Sequence, residues 1–187
     1  PTSLSHGKLG KDDEHVSVLF RSDKTTTTGT ATTKQSLIRI FNASTCAETS
    51  SFPVPGKNEL DADGNPHLAG GGPIALGDFD NDGDLELGIA GRWYYAAFER
   101  DGTLLWKFET QDYSSAGTGS SVFDFNGDGK LEIVYADEEF LRVFEGATGR
   151  IVYQVPNTSG TLAEYPVVAD VNGDGHANLV VAANNYG

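Results

Sequence analysis

The chain contains no apolar run near the roughly 18 residues that a membrane-crossing helix needs, so membrane insertion is not expected of these 187 residues. Positive charge is scarce: 13 Lys and Arg stand against 27 Asp and Glu, a formal net charge of -14. Phosphate backbones select basic surfaces, so nucleic acid is excluded as a partner. Cysteine is nearly absent. Cys46 has no adjacent His, Lys or Arg to activate a thiolate, which argues against a catalytic thiol. It reads as a small inert side chain in a turn, or as half of a disulfide whose partner lies outside this stretch. The first residue is Pro1 rather than Met, so the expectation is a processed chain or part of a longer protein.

What the chain has in quantity is one acidic turn, stated three times. Residues 124–132 read Asp-Phe-Asn-Gly-Asp-Gly-Lys-Leu-Glu. Residues 78–86 and 170–178 repeat the pattern 46 positions before and 46 positions after. Each copy places an oxygen-bearing side chain at positions 1, 3, 5 and 9: Asp78, Asp80, Asp82 and Glu86; Asp124, Asn126, Asp128 and Glu132; Asp170, Asn172, Asp174 and Asn178. A hard cation such as Ca²⁺ collects six to eight oxygens at about 2.3 to 2.6 Å, and a tight turn with ligands at alternate positions aims several at one point. The glycine at position 6 permits the reversal. Position 7 (Asp84, Lys130, His176) would contribute its backbone carbonyl, which is why a lysine is tolerated there. Three calcium ions are therefore expected. Ten of the 27 acids lie in these turns, where a cation would relieve their mutual repulsion. Sites of this kind suit the millimolar calcium found outside the cell, so an extracellular location is expected.

An EF-hand opens in the same way but requires a bidentate Glu at position 12 and flanking helices. Position 12 here is Ile89, Tyr135 or Val181. The flanks also alternate like strands, as in Leu85, Leu87, Ile89 and Leu131, Ile133, Tyr135. Each acidic turn is thus read as a strand-to-strand connection.

Taken in order, residues 1–14 read as a tail and residues 15–20 as a strand. The Thr-rich residues 21–35 read as a long hairpin tip or a mobile loop. Residues 38–46, Ile-Arg-Ile-Phe-Asn-Ala-Ser-Thr-Cys, share pattern and turn with residues 141–149, Leu-Arg-Val-Phe-Glu-Gly-Ala-Thr-Gly. Phe98 begins a third version of the same turn, 46 residues before Phe144. A short strand follows each: residues 51–54, 105–108 and 151–155.

The repeat is then four antiparallel strands in roughly 40 to 50 residues, the blade of a β-propeller, which must stack on neighbours to bury its faces. Two complete units, about residues 72–110 and 120–157, are expected between two partial ones. The domain reading is a partial N-terminal blade at 1–71 and calcium-binding repeats at 72–187. Residues 61–65, Asp-Ala-Asp-Gly-Asn, resemble the acidic turns but lack the spacing, and read as an exposed turn. Trp93-Tyr94-Tyr95 is either a sugar platform or packing, since alternation sends neighbours to opposite faces. Asn42 and Asn157 each begin an Asn-X-Ser acceptor pattern.

The acidic turns, each followed by an apolar strand, and the Phe-Glu turns at Phe98 and Phe144 resemble FG-GAP/VCBS repeats, the calcium-loop blades of integrin α-subunit heads and of many secreted bacterial propellers. The resemblance covers residues 72–187 well and residues 15–54 as a divergent half-unit. It implies an all-β propeller with Ca²⁺ held at the three turns and an adhesive or structural role, contacting protein or glycan at the cell surface. The third turn departs from the pattern at Asn178, which puts its affinity in question. Two other roles remain open. One is a filament subunit, a homopolymer completed by strand addition between copies. The other is a calcium-dependent polysaccharide lyase, against which no His, Lys or Arg cluster recurs with the acids. A non-enzymatic module is the expectation.

Overall fold

The computed structural model describes residues 4–11, 17–28, 31–60, 62, 64, 66–162 and 164–183, and every regular element among them is a strand. Strands β1 (Leu4–Gly7), β2 (Ser17–Thr28), β3 (Ala31–Asn42) and β4 (Glu48–Pro53) form one sheet in chain order. Strands β5 (Ala75–Gly77), β6 (Glu86–Ala90), β7 (Tyr94–Phe98) and β8 (Leu104–Glu109) form the second. Strands β9 (Ser120–Phe123), β10 (Glu132–Ala136), β11 (Phe140–Glu145) and β12 (Ile151–Pro156) form the third. Strands β13 (Val167–Ala169) and β14 (Asn178–Val180) make a two-stranded fourth sheet. All pairings are antiparallel. The architecture is all-β, a row of propeller-type blades.

The blades stack because their central strands carry apolar side chains on both faces. Alternation sends Leu87 and Ile89 of β6 into a core shared with Leu19, Ile38 and Ile40 of the first sheet. Ala90, Tyr95 and Ala97 turn the other way, onto Ile133, Tyr135 and Phe144 of the third sheet. Val134, Leu141 and Val143 then pack on Val168, Leu179 and Val181. All five residues of β6 and of β10 are buried, which is how a strand between two neighbouring sheets must look.

One expectation is corrected here. Leu4–Gly7, read as tail, is a strand paired with β2 from Leu4↔Phe20 to Gly7↔Ser17, so the N-terminal blade expected to be partial has four strands. Its sequence carries no apolar alternation because the strand is held by backbone pairing and by Ser5 Oγ, which donates to the Ile74 carbonyl. Of the two readings of the aromatic run, packing is the one found: Trp93 lies in the first core and Tyr95 in the second, each at most 1% exposed, with Tyr94 half-buried against the first. The Thr-rich segment is a hairpin, paired continuously to Thr28↔Ala31. Of the turn at 61–65, Asp61, Asp63 and Asn65 lie outside the described residues. Gly64 has φ +79°, and Leu60 bridges Pro66 across the reversal.

A second repeated device joins neighbouring blades. The third strand of each blade shifts register at its phenylalanine, between Ile40 and Phe41, Ala97 and Phe98, and Val143 and Phe144. The turn that follows contains a left-handed residue: Cys46 (φ 55°), Gly102 (φ 91°) or Gly149 (φ 70°). Gly102 lies against the Phe52 ring of the preceding blade and Gly149 against the Trp106 indole, close enough that a Cβ would come within 2.5 Å of either ring. Phe98 and Phe144 pack below at 5.1 and 5.5 Å between ring centroids.

The connections are fastened by Asp112, a fully buried carboxylate between the second and third sheets. It accepts the amides of Ala116 (3.1 Å), Gly117 (2.9 Å) and Thr118 (3.1 Å), the Ser115 hydroxyl (2.8 Å), and the hydroxyl of Thr161 from the next connection. Burial alone would raise its pKa, but hydrogen bonds led by that of Thr161 outweigh burial and hold it below the usual carboxylate value.

Two outcomes follow. Cys46→Gly relieves a left-handed non-glycine residue costing about 1 kcal/mol, so its Tm should rise by roughly 2 to 4 °C in thermal denaturation. Asp112→Asn leaves buried donors short of acceptors and should cost about 2 kcal/mol near neutral pH. A folded pKa below the unfolded value of about 4 means that the Asp112 contribution is complete above that value and is lost as pH falls through the folded pKa. In acid titrations followed by circular dichroism, the gap between parent and variant should therefore close below about pH 4.

Candidate metal sites

Each acidic turn connects the first and second strands of a blade and folds by the same hydrogen bonds. The position-1 carboxylate accepts the amides of positions 5 and 6: Asp78 from Asp82 (3.1 Å) and Gly83 (2.9 Å), Asp124 from Asp128 (3.2 Å) and Gly129 (2.9 Å), Asp170 from Asp174 (3.2 Å) and Gly175 (2.8 Å). The position-5 carboxylate accepts the amide of position 7, at 2.8 Å from Asp84, 2.9 Å from Lys130 and 2.9 Å from His176. The position-9 side chain, first residue of the second strand, accepts the amide of position 2: Glu86 from Phe79, Glu132 from Phe125 (2.8 Å) and Asn178 from Val171 (3.0 Å). Asn178 therefore keeps the structural half of the glutamate's work without its charge.

Curling the chain this tightly takes two left-handed residues per turn. Position 6 is Gly83, Gly129 or Gly175, with φ of 93°, 85° and 83°, and position 4 is Asn81, Gly127 or Gly173, with φ of 66°, 75° and 76°. The sequence carries a signal for the position-4 requirement as well: Asn and Gly are the residues that accept this conformation most readily.

In the first turn, carboxylate oxygens of Asp78, Asp80 and Glu86 lie within 4.8 Å of one another. In the second, the Asn126 amide nitrogen is 3.1 Å from Asp128 and 3.5 Å from Glu132. In the third, the Asn172 amide is 2.9 Å from Asp174. Hydrogen bonds from turn amides, that of Gly129 first for Asp124 and that of Gly175 first for Asp170, hold both carboxyls below their ordinary range. Glu86 is the opposite case. Burial, with the charges of Asp80, Glu99 and Asp78 adding to it, pushes its pKa up to about 7. Among the described residues no ion pair reaches Asp78, Asp80 or Glu86. The positive groups nearby serve other atoms: Lys11 donates its ammonium to the Asp82 carbonyl (3.0 Å) and its amide to the Asp84 carboxylate (3.1 Å), and Arg100 lies 3.6 Å from that carboxylate. The Asp84 side chain is thereby drawn off toward Arg100 and the Lys11 amide. A buried, uncompensated carboxylate facing two others, in a set made only of oxygens, fits a hard divalent cation.

The family model of the FG-GAP-like repeat matches residues 78–135 and again residues 124–181, each match opening on an acidic turn. The chain belongs to the FG-GAP-like repeat family. It is similar to rhamnogalacturonan exolyase YesX of Bacillus subtilis, 27% identical over 167 residues, an alignment covering 62% of this chain and 26% of that enzyme. Its fold is shared with the V. cholerae biofilm matrix protein Bap1, with a TM-score of 0.52 and 23% identity over 100% of this chain and 32% of Bap1. The FG-GAP-like chain thus spans about a quarter of the one relative and a third of the other.

The turns are also scaffolds in their own right. Asp124→Ala strips acceptors from three turn amides, a loss of the same kind as removing a helix cap. A Tm lowered by roughly 2 to 4 °C even in excess chelator would show this metal-independent part.

Proposed function

We propose that this FG-GAP-like chain is a non-catalytic calcium-binding propeller module that serves outside the cell in an adhesive or structural role, contacting protein or polysaccharide. The observation that carries the reading is Glu86, a carboxylate 1% exposed that faces Asp78 and Asp80, with no ion pair to any of the three among the described residues. The first ion would be held by Asp78, Asp80, Asp82 and Glu86 with the Asp84 carbonyl; the second by Asp124, Asn126, Asp128 and Glu132 with the Lys130 carbonyl; the third by Asp170, Asn172, Asp174 and Asn178 with the His176 carbonyl. When bound, calcium supplies the positive charge that these turns lack. The chain's own part is to hold position 1 by turn amides and position 9 by the start of a core strand, so that the ligands stand at fixed separations across the strand connection. Millimolar calcium outside the cell suits exposed sites of this type. The biofilm-matrix setting named for Bap1 makes polysaccharide the first partner to test.

The similarity to a rhamnogalacturonan exolyase favours a second reading, calcium-dependent polysaccharide cleavage. Against it, Lys11 and Arg100 beside the first turn are engaged with the Asp82 carbonyl and the Asp84 carboxylate. Unsaturated products from pectic polysaccharide incubated with the chain and calcium would replace the non-catalytic reading.

The calcium reading is tested by melting the chain with and without chelator. A site held at 100 times its Kd contributes about 2.7 kcal/mol, so chelation should lower the Tm by roughly 5 to 10 °C for each such site. A melting curve indifferent to chelator at millimolar calcium would overturn it.

A further inference from the structure

The three acidic turns are alike internally but not in their surroundings. We propose that the turns at 78–86 and 124–132 load their ions as a coupled pair while the turn at 170–178 loads independently, an inference that rests on the calcium reading above. The connection is made by backbone. The amide of Leu131, position 8 of the second turn, donates to the carbonyl of Asp78, position 1 of the first, at 3.3 Å. Around that bond the Leu131 side chain covers Gly77, where a Cβ would come within 2.6 Å of it. Asn81 reaches the second turn from the other side, its amide nitrogen 2.9 Å from where a Cβ of Gly129 would stand. Asp78 cannot be repositioned without moving Leu131, and Leu131 is followed directly by Glu132.

The same bond occurs one blade earlier, where the Leu85 amide donates to the Leu9 carbonyl at 2.6 Å. It does not occur one blade later. Among the described residues no backbone hydrogen bond joins residues 124–132 to residues 170–178. A cavity of about 380 Å³ opens beside them instead, lined by Phe125, Asn126 and Glu132, by Val143 and Tyr153 of β11 and β12, and by Ala177 and Leu179. Gly175, which stands at the position where Gly129 meets Asn81, has nothing within 4 Å of where a Cβ would stand. An ion that fixes either of the first two turns therefore fixes part of the other, so the second ion has less chain left to order, and by linkage the effect is reciprocal. The third turn shares no such contact.

The test is calcium titration of the 187-residue chain by calorimetry, with the outer turn silenced by Asp170→Asn and Asp174→Asn. The two remaining ions should bind with a Hill coefficient above 1, and a coefficient of 1 or less overturns the coupling. Asp128→Asn with Glu132→Gln silences the second turn while keeping its hydrogen-bond acceptors. Affinity at the first turn should then fall about five-fold, the low end of typical coupling, and that at the third should not change. Equal losses at both would overturn the asymmetry. Should these variants lose their β-sheet circular dichroism, the unmodified chain decides: a steep two-ion phase beside a simple one-ion phase is expected, and three independent phases sink the inference. Absence of any calcium uptake would remove the calcium reading itself, an outcome distinct from uptake without coupling.

Discussion

Each turn depends on a carboxylate that accepts two successive backbone amides. With Asp78, Asp124 or Asp170 at position 1 receiving the amides of positions 5 and 6, the chain closes into a loop whose alternate side chains point inward. The same loop joins two core strands, so its ends are fixed by the blade. Ligand geometry and strand pairing are consequently one arrangement: the side chain at position 9 that would face an ion also begins β6, β10 or β14. Hydrogen bonds of this kind lower, without removing, the ordering that an ion must impose on the turn. The cost is like charge held together, carried most heavily by the buried Glu86.

Blade stacking follows from a different requirement. A four-stranded sheet with Leu87 and Ile89 on one face and Tyr95 and Ala97 on the other has two apolar faces and needs two neighbours. The fit between blades is made locally by small against large: a left-handed glycine seats an aromatic ring of the preceding blade, as Gly149 does for Trp106, whose indole N–H also donates to the Gly146 carbonyl at 2.6 Å. The first two turns touch where their blades stack, through the Leu131 amide on the Asp78 carbonyl, whereas the sheet of the third turn stacks on that of the second without a backbone bond between their turns among the described residues.

Much of this was legible because repetition separates signal from accident. The 46-residue spacing identified the acidic turns and the Phe98 and Phe144 turns, and period-2 alternation identified their flanking strands. What repetition could not supply was anything specific to one blade. Leu4–Gly7 has no apolar alternation, since its contribution is backbone pairing, and it was read as tail. Asp112 has no partner at the repeat spacing, so nothing marked it as a buried anchor. The Thr-rich segment left hairpin and loop equally open, because exposed pairs such as Thr26↔Thr33 bury nothing and leave no pattern. Trp93, Tyr94 and Tyr95 show the limit of composition: three adjacent aromatics suggest a surface, and strand geometry distributes them between two cores.

The third turn separates two roles that the other copies combine. Asn178 accepts the Val171 amide just as Glu132 accepts that of Phe125, so the strand begins in the same place and the turn keeps the same bonds. What the amide lacks is the negative charge that a cation would neutralise. The turn's architecture therefore rests on oxygen placement, and charge at position 9 is free to vary without dismantling the blade. The same division appears at position 4, where Asn81 adopts the left-handed conformation that Gly127 and Gly173 supply elsewhere, yet alone carries a side chain that reaches the neighbouring turn. Within one conserved loop geometry, then, position 9 adjusts the charge offered to an ion and position 4 adjusts contact with the next loop, so copies of a single motif need not behave as equivalent sites.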